Sequence, residues 1–189
     1  MKIGLFFGSF NPMHVGHKII ASYMAEFSDL DKVMFVVSPQ NPFKKKQSLL
    51  NQHQRLMIIR REIEGNPKLQ VSDIEFSIPQ PSYTIDTLVR LKEKNPENQY
   101  VLIMGSDNLQ NFHKWKNYQQ ILEDYSIYVF PRPGFEINGT HANIHIVKGV
   151  SQMEISASFI RNSIKQGKDI SYLMPEKAWK YTNEMNLYS

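Results

Sequence analysis

The fold is decided by residues 3–27, which read IGLFFGSFNPMHVGHKIIASYMAEF. Residues 3–7 are a short apolar run rich in aromatic side chains, which is typical of a strand buried on both faces. A turn containing Gly and Pro follows, and residues 15–27 then predict an amphipathic helix. The apolar stripe expected on that helix consists of Ile19, Ile20, Tyr23, Met24 and Phe27.

The same alternation of strand and helix patterns continues to the end of the chain. Apolar runs predict further strands at 32–38, 71–76, 100–104, 126–130 and 144–147. Helices are predicted at 51–64, 84–94 (with Thr84 as N-cap), 109–112, 118–123, 158–166 and 176–185. Strands separated by such helices imply right-handed crossovers. We therefore predict an α/β fold with a doubly wound, mainly parallel sheet. It forms one domain, 1–189, with residues 156–189 as a C-terminal helical part.

The composition excludes several classes of protein. A chain of 189 residues can bury a core without covalent staples, and its lack of cysteine excludes a disulfide scaffold, a thiol nucleophile and thiolate metal sites. The net charge of +4 suits phosphorylated small molecules better than a nucleic-acid partner. No apolar run approaches the ~20 residues that span a bilayer. We expect a soluble, cytoplasmic protein with no membrane partner.

Ligands of doubly wound sheets bind beyond the carboxyl ends of the strands. That rule selects the loops at 8–17, 38–46, 105–115 and 131–134. In the first loop, His14 and His17 lie three residues apart at the start of a predicted helix, so their side chains share one face. The unpaired N–H groups of that first turn favour an anion there. Gly16 lacks a side chain, which lets a phosphate or flat ring approach the backbone. The alternative is a structural cap with two surface histidines.

Two signatures at opposite ends of the chain make a family resemblance specific. Gly8 to His17 resembles the (T/H)xGH signature of the nucleotidyltransferase superfamily, and Ile155-Ser156-Ala157-Ser158-Phe159-Ile160-Arg161 resembles its ISSTxIR signature. Among the subfamilies, the chain most resembles the bacterial nicotinate-nucleotide adenylyltransferases. Further matching stretches are 41–44, 53–57, 82–88, 105–108, 115–118, 132–134 and 187–188.

The resemblance implies a Rossmann-like nucleotidyltransferase fold and a particular reaction. ATP and nicotinic acid mononucleotide would be the substrates, and deamido-NAD and pyrophosphate would be the products. The mononucleotide's 5′-phosphate would attack the α-phosphorus in line, so positioning and charge neutralisation are the main tasks of the site. Mg²⁺ would be bound through the phosphates of ATP, and we predict no metal site built from protein side chains.

The resemblance also implies roles for individual residues. The catalytic group would comprise His14, His17, Lys44 and Arg161. Contacts with ATP would come from Gly8, Ser9, Phe10, Gly16, Gly105, Asp107, Ile155, Ser156 and Ser158. The mononucleotide would contact Thr84, Trp115, Tyr118 and Arg132. Trp115 would stack on the pyridine ring, and backbone amides near Thr84 would meet its carboxylate, favouring nicotinate over nicotinamide.

Each role has a structural alternative that the sequence leaves open. Arg161 could be a solvated residue near a helix cap, Trp115 a core residue and Asp107 a helix N-cap. The chain also departs from the family pattern, since Asn11 replaces an Asp and Ala157 replaces a Ser. Two other functions stay open: a different adenylyl- or cytidylyltransferase of the superfamily, and a non-catalytic nucleotide-binding regulator. Whether the chain forms a homo-oligomer is open as well.

Overall fold

The computed structural model describes residues 1–39, 49–137, 141–151 and 153–189. Six strands form one sheet in the order β3-β2-β1-β4-β5-β6, and every neighbouring pair is parallel. The strands are β1 Lys2–Gly8, β2 Lys32–Val37, β3 Leu69–Ser72, β4 Gln99–Gly105, β5 Ser126–Phe130 and β6 Ile144–Ile146. The predicted α/β class with a doubly wound sheet is confirmed.

Helices connect the strands and cover both faces of the sheet. They are α1 Val15–Phe27, α2 Gln52–Ile63, α3 Thr84–Lys94, α4 Ser106–Gln110, α5 Tyr118–Asp124, α6 Ala157–Lys165 and α7 Glu176–Glu184. The last two helices lie within the predicted C-terminal part, 156–189. Among the residues described, no helix is long and apolar enough to cross a membrane.

The sheet separates two apolar cores. Along β1, Phe6 packs into the core beneath α1, α2, α6 and α7, whereas Leu5 packs into the core beneath α3 and α5. The same division separates Phe35 from Val36 on β2. Since successive side chains of a strand point to opposite faces, a strand covered on both faces must be apolar throughout. This explains the uninterrupted apolar runs of the sequence.

The strand order reverses direction between β1 and β4. The chain passes from β1 outward to β2 and β3, then returns to add β4, β5 and β6 on the other side. At such a reversal the loops that leave the two central strands diverge, and a crevice opens at their carboxyl ends. The loop after Gly8 and the loop after Gly105 therefore border one crevice.

Four local predictions are wrong. The helix expected at 109–112 begins at Ser106 and ends at Gln110, and Phe112–Lys114 forms a separate 3₁₀ turn. The strand expected at 71–76 ends at Ser72, because Ile74–Ser77 forms a 3₁₀ turn in which the Phe76 N–H donates to the Asp73 carbonyl at 2.8 Å. Thr84 is the first residue of α3 rather than its cap, since Tyr83 holds the N-cap position. Phe27 is 73% exposed, and its ring stacks on Tyr23 at the surface instead of entering the core.

Candidate active site

A cleft of about 710 Å³ opens at the carboxyl ends of β1 and β4. Most of the predicted site residues line it, although they come from widely separated parts of the sequence. They are Gly8, Ser9, Phe10, His14, His17, Thr84, Gly105, Asp107, Trp115, Arg132, Ile155, Ser156, Ser158 and Arg161. The structure thus brings both signatures and the predicted pyridine-binding segment to a single cavity.

The turn after β1 has an unusual backbone that the aromatic core holds in place. Phe10 has a φ of 44°, in the left-handed region that residues other than glycine rarely adopt. Its ring is 2% exposed and packs edge-on against Phe6 and Phe35. A Cβ on Gly8 would lie 2.8 Å from the Phe10 ring, so glycine is required for the turn to close. Packing against the aromatic core therefore gives this turn a defined conformation.

The two signature histidines stack at the start of α1. Their ring centroids are 3.6 Å apart and the ring planes differ by 26°. His14 occupies the N-cap position, and its backbone N–H donates to Nδ1 of His17 at 3.2 Å. Because Nδ1 of His17 is an acceptor, the neutral ring carries its proton on Nε2. This tautomer provides an N–H donor on a residue that lines the cleft.

The surroundings of His14 keep its ring uncharged. Its side chain is buried, and burial together with the positive charge of Arg132 lowers its pKa from 6.5 to about 4. At neutral pH the His14 ring is therefore uncharged. Its Nδ1 is buried without a hydrogen-bond partner in the part of the chain that the structure describes. A buried polar atom of this kind is costly unless a ligand or water meets it.

Arg161 joins the second signature to the first across 150 residues of sequence. Its Nη1 donates to the Asn11 carbonyl at 2.7 Å, and its Nη2 donates to Ser158 Oγ at 3.2 Å. The side chain of Asn11 accepts a further hydrogen bond from the Leu50 N–H at 3.1 Å. The Asn that replaces the family's Asp thus performs a structural task that requires an acceptor oxygen but no charge.

The start of α6 divides its hydroxyls between two tasks. Ser156 is the N-cap, since its Oγ accepts from the Phe159 N–H at 3.1 Å. Ser158, two residues further on, accepts from Arg161 and lines the cleft. Ser156 is therefore the helix cap that the structural alternative included. Arg161 is not a solvated residue beside it, because hydrogen bonds hold its guanidinium at the cleft.

Asp107 and Arg132 form the wall beyond β4 and β5. An ion pair joins Arg132 Nη1 to Asp107 Oδ2 at 3.4 Å, and the backbone N–H of Arg132 donates to Ser106 Oγ at 2.8 Å. Gly105, not Asp107, occupies the N-cap position of α4. The second carboxylate oxygen of Asp107 is buried and has no partner among the residues described. It is an acceptor suited to a sugar hydroxyl.

The far end of the cleft combines an aromatic ring with a helix N-terminus. Trp115 is half-buried, and its indole contacts the Phe112 ring at a centroid distance of 5.3 Å. Thr84 begins α3, where the Asp86 and Thr87 N–H groups donate to the Tyr83 carbonyl at 3.0 and 3.2 Å, so the Thr84 and Ile85 N–H groups have no partner within the helix. An aromatic face beside unpaired N–H donors can hold a flat ring that carries a carboxylate.

Two of the predicted residues that the structure describes are not part of this lining, Gly16 and Tyr118. Gly16 lies in α1 behind His14, and a Cβ there would meet His14 Nδ1 at 3.1 Å, so its small size accommodates the imidazole rather than a ligand. Tyr118 packs edge-on against Phe112 at 6.0 Å, which makes it a support for the ring that contacts Trp115. Lys44 lies outside the described residues.

Sequence reasoning missed Glu75, a buried carboxyl group that lines the cleft. Its side chain accepts from Ser82 Oγ at 3.1 Å and from Thr87 Oγ1 at 2.9 Å. Burial raises the pKa of Glu75, and hydrogen bonds from Thr87, Ser38 and Ser82 oppose that rise. The sequence around Glu75 also contains Ser72, Asp73 and Ser77, and its hydroxyl partners lie 7 and 12 residues further on, so no local pattern distinguishes it. Glu75 therefore fixes the segment that leads into α3.

The arrangement fits a metal carried by the ligand rather than one caged by the protein. Within the described parts of the chain, no group of three or more His, Asp or Glu side chains could hold a metal ion. Mg²⁺ commonly keeps several waters and binds through substrate phosphates, which requires no such group. Arg132, Arg161 and Asp107 all line the cleft.

Comparison with known proteins defines the class first. Residues 5–163 match the family described as cytidylyltransferase-like. Because this match covers most of the chain, the chain belongs to the cytidylyltransferase-like family. The similarity predicted from the two terminal signatures is thereby confirmed, as is the prediction of a nucleotidyltransferase.

Closer relatives then identify the particular group within the family. A protein of Flavobacterium johnsoniae named "probable nicotinate-nucleotide adenylyltransferase" is 52% identical over 192 residues, covering 100% of this chain and 99% of its own length. A protein of Christiangramia forsetii with the same name is 54% identical over 191 residues, with coverages of 99% and 98%. The chain is therefore a member of the nicotinate-nucleotide adenylyltransferases.

A solved structure shares the fold at much lower identity. The nicotinic acid mononucleotide adenylyltransferase of Plasmodium falciparum, complexed with NaAD, superimposes with a TM-score of 0.83 at 19% identity. The alignment covers 99% of this chain and 97% of that protein. The Rossmann-like nucleotidyltransferase fold is thus confirmed.

Proposed function

We propose that this protein transfers the adenylyl group of ATP to nicotinic acid mononucleotide, forming deamido-NAD and releasing pyrophosphate. The observation that carries the proposal is the convergence of His17 and Arg161 on one cleft that ends at Trp115 and the start of α3. One end of the cleft suits phosphates and the other suits a pyridine carboxylate. The names of the full-length relatives support the same reaction.

The reaction requires the two substrates to be positioned and does not require a catalytic base. The 5′-phosphate of the mononucleotide is already an anion at neutral pH, so its oxygen can attack the α-phosphorus directly. A new P–O bond forms there while the bond between the α-phosphorus and the bridging oxygen breaks, and pyrophosphate leaves with that electron pair. The protein must hold the groups in line and stabilise the charge that develops on the phosphate oxygens.

The phosphate end of the cleft supplies donors for that charge. The Nε2–H of His17 and the guanidinium of Arg161 are the groups that we assign to the triphosphate, with Ser158 beside Arg161. His14 is neutral and acts as a hydrogen-bonding group rather than as a cation. Lys44 keeps its proposed role as a further cation. Mg²⁺ bound by the phosphates would neutralise part of their charge.

The other end of the cleft would select the mononucleotide. The pyridine ring would lie against Trp115, and its carboxylate would accept from the unpaired N–H groups of the first turn of α3, beginning at Thr84. Asp107 Oδ1 would accept from a ribose hydroxyl. A carboxamide would point an N–H₂ group toward N–H donors, so the site should favour nicotinate.

Pyrophosphate release by the purified protein tests this function. We expect turnover with ATP, Mg²⁺ and nicotinic acid mononucleotide, and slower turnover with the nicotinamide mononucleotide. Parallel reactions with CTP, and with phosphopantetheine as acceptor, test the other transferases of the family. Nucleotide binding without pyrophosphate release from any pyridine mononucleotide would contradict the proposal and favour a regulator. Since ATP and Mg²⁺ are abundant in the cytoplasm, we propose that location for the reaction.

A further inference from the structure

Arg55, in the first turn of α2, has no place in the reaction described above, yet it is the largest fully buried side chain among the residues described. Its surface exposure is 0%, and no carboxylate pairs with it in that part of the chain. Burial lowers its pKa to about 10, so the guanidinium stays charged at neutral pH. A buried charge persists only when its surroundings provide strong hydrogen-bond partners.

Backbone carbonyls provide those partners. Nε donates to the Leu50 carbonyl at 2.9 Å, and Nη2 donates to the Pro39 carbonyl at 3.0 Å. Nη1 donates to the Ser38 carbonyl at 2.9 Å and also to the Ser9 carbonyl. One side chain therefore ties together the turn after β1, the end of β2 and the approach to α2.

The contact with Ser9 has a consequence for the cleft. In a planar trans peptide, the carbonyl of one residue and the N–H of the next point in opposite directions. When Arg55 holds the Ser9 carbonyl toward the interior, the N–H of Phe10 must point away from Arg55. Ser9 and Phe10 both line the cleft beside His14 and His17. The left-handed φ of Phe10 needs such an external restraint.

We propose that Arg55 is a positioning residue for adenylyl transfer. It fixes the Ser9–Phe10 peptide so that the Phe10 N–H is presented to a substrate phosphate, and it places a positive charge beneath that peptide. A second link runs from Leu50, through its N–H, to Asn11 and on to Arg161. The role rests on the proposed function, because it is defined by the phosphate that the peptide meets.

Kinetics of Arg55→Lys and Arg55→Met test the proposal. A single ammonium group cannot bind four carbonyls in the planar arrangement of a guanidinium. We expect kcat to fall roughly 10- to 100-fold with a smaller change in the KM of nicotinic acid mononucleotide, because the peptide is misdirected while the pyridine end stays intact. Retention of wild-type kcat by folded Arg55→Lys would overturn the proposal.

Glu62→Gln is the matched control on the same helix. Glu62 is also buried and charged, pairs with Lys18 and accepts from the Ala178 N–H, but it does not line the cleft. We expect this variant to lose thermal stability while its kcat stays unchanged. A parallel loss of kcat in Glu62→Gln and Arg55→Lys would mean that Arg55 is structural only, and would overturn the proposal.

A measurement on the wild-type protein needs no variant to fold. Inorganic pyrophosphate is added to ¹⁵N-labelled protein, and the amide signals of the first loop are followed by NMR. The Phe10 amide should shift upon addition. An unmoved Phe10 signal, in a protein whose other cleft signals respond, would overturn the proposal. This readout involves no turnover, so it can fail while the proposed reaction stands, and the reaction can fail while it succeeds.

Discussion

The two signature histidines differ in their surroundings, and that difference separates their roles. His17 receives the backbone N–H of its partner at Nδ1, which orients the ring and leaves its proton on Nε2. His14 is 5% exposed, and burial together with the positive charge of Arg132 lowers its pKa, so its ring is neutral. A neutral imidazole still carries one N–H, so we expect the His17 Nε2–H to donate to phosphate oxygens as their charge increases and His14 to act as an uncharged hydrogen-bonding group whose backbone N–H orients the His17 ring.

Removal of either phosphate donor should slow the chemical step strongly. We expect His17→Ala and Arg161→Ala to lower kcat by roughly 10²–10³, because each loses a donor to developing charge. Circular dichroism should show a folded protein in both cases. Lys165→Ala, which removes an exposed cation from the same helix as Arg161, should retain full activity. Full activity of both site variants would show that the phosphates bind elsewhere.

His14 should make folding sensitive to acid. Its folded-state pKa of about 4 lies below its unfolded value of 6.5. Between these two pH values the unfolded chain therefore binds a proton on this ring and the folded chain does not. Stability from this group is present above pH 6.5 and is lost as the pH falls through 4. Between pH 6.5 and pH 4, the free energy of unfolding measured with urea should fall by about 3 kcal/mol less in His14→Asn than in the wild type. Identical slopes for the variant and the wild type would contradict this assignment.

At the scale of elements, the entry into α3 depends on a buried carboxyl group. Glu75 sits in the 3₁₀ turn after β3 and accepts hydroxyl hydrogen bonds from Ser82, before the helix, and from Thr87, inside it. These bonds define where the first turn of α3 lies relative to Trp115. This turn and α3 belong to the crossover between β3 and β4, whereas Trp115 belongs to the crossover between β4 and β5, so we expect Glu75 to influence the proposed pyridine subsite by fixing the start of α3.

The substitution Thr87→Val tests this dependence. The hydroxyl lost is a donor to a buried carboxyl group, so we expect destabilisation by about 1–3 kcal/mol and a higher KM for nicotinic acid mononucleotide. Thr182→Val is the matched control: Thr182 is 1% exposed, but its hydroxyl has no partner among the residues described. It should cost no stability, and urea unfolding compares the two. Equal effects of both substitutions would contradict the role of Glu75.

Much of the element pattern could be predicted because its causes are local. The helix predicted at 15–27 has the observed bounds of α1, and the apolar strands reflect a sheet covered on both faces. Arg55 and Glu75 escaped prediction because their partners are brought by the tertiary fold. In the sequence, a charged residue in the first turn of a helix or in a turn after a strand resembles a solvated one, because the backbone carbonyls or distant hydroxyls that surround it are not local.

At the scale of the whole molecule, the site exists only when the two ends of the chain meet. Arg161 of α6 binds the Asn11 carbonyl after β1, and α7 packs beneath the same core. A ligand that spans this contact binds the folded chain alone and should stabilise the entire fold. The two signatures predicted this meeting through the family resemblance, whereas the tether through Asn11 required the structure.

The rise in Tm upon nucleotide binding should show whether both signatures contact the same triphosphate. A non-hydrolysable ATP analogue at about 100 times its Kd should raise Tm by roughly 5–10 °C for a chain of this size. At the same concentration Arg161→Ala should lose most of the shift, whereas Lys165→Ala should keep it. If Arg161→Ala shows the wild-type shift, the C-terminal signature makes no contribution to nucleotide binding.

The most direct test of adenylyl transfer at this cleft is a crystal structure with α,β-methylene-ATP and nicotinic acid mononucleotide bound together. We predict that the α-phosphorus faces the mononucleotide phosphate, with His17 Nε2 and the Arg161 guanidinium at hydrogen-bonding distance from the triphosphate and the pyridine ring against Trp115. A triphosphate bound away from His17 and Arg161, or a pyridine ring outside the pocket of Trp115 and Thr84, would contradict it.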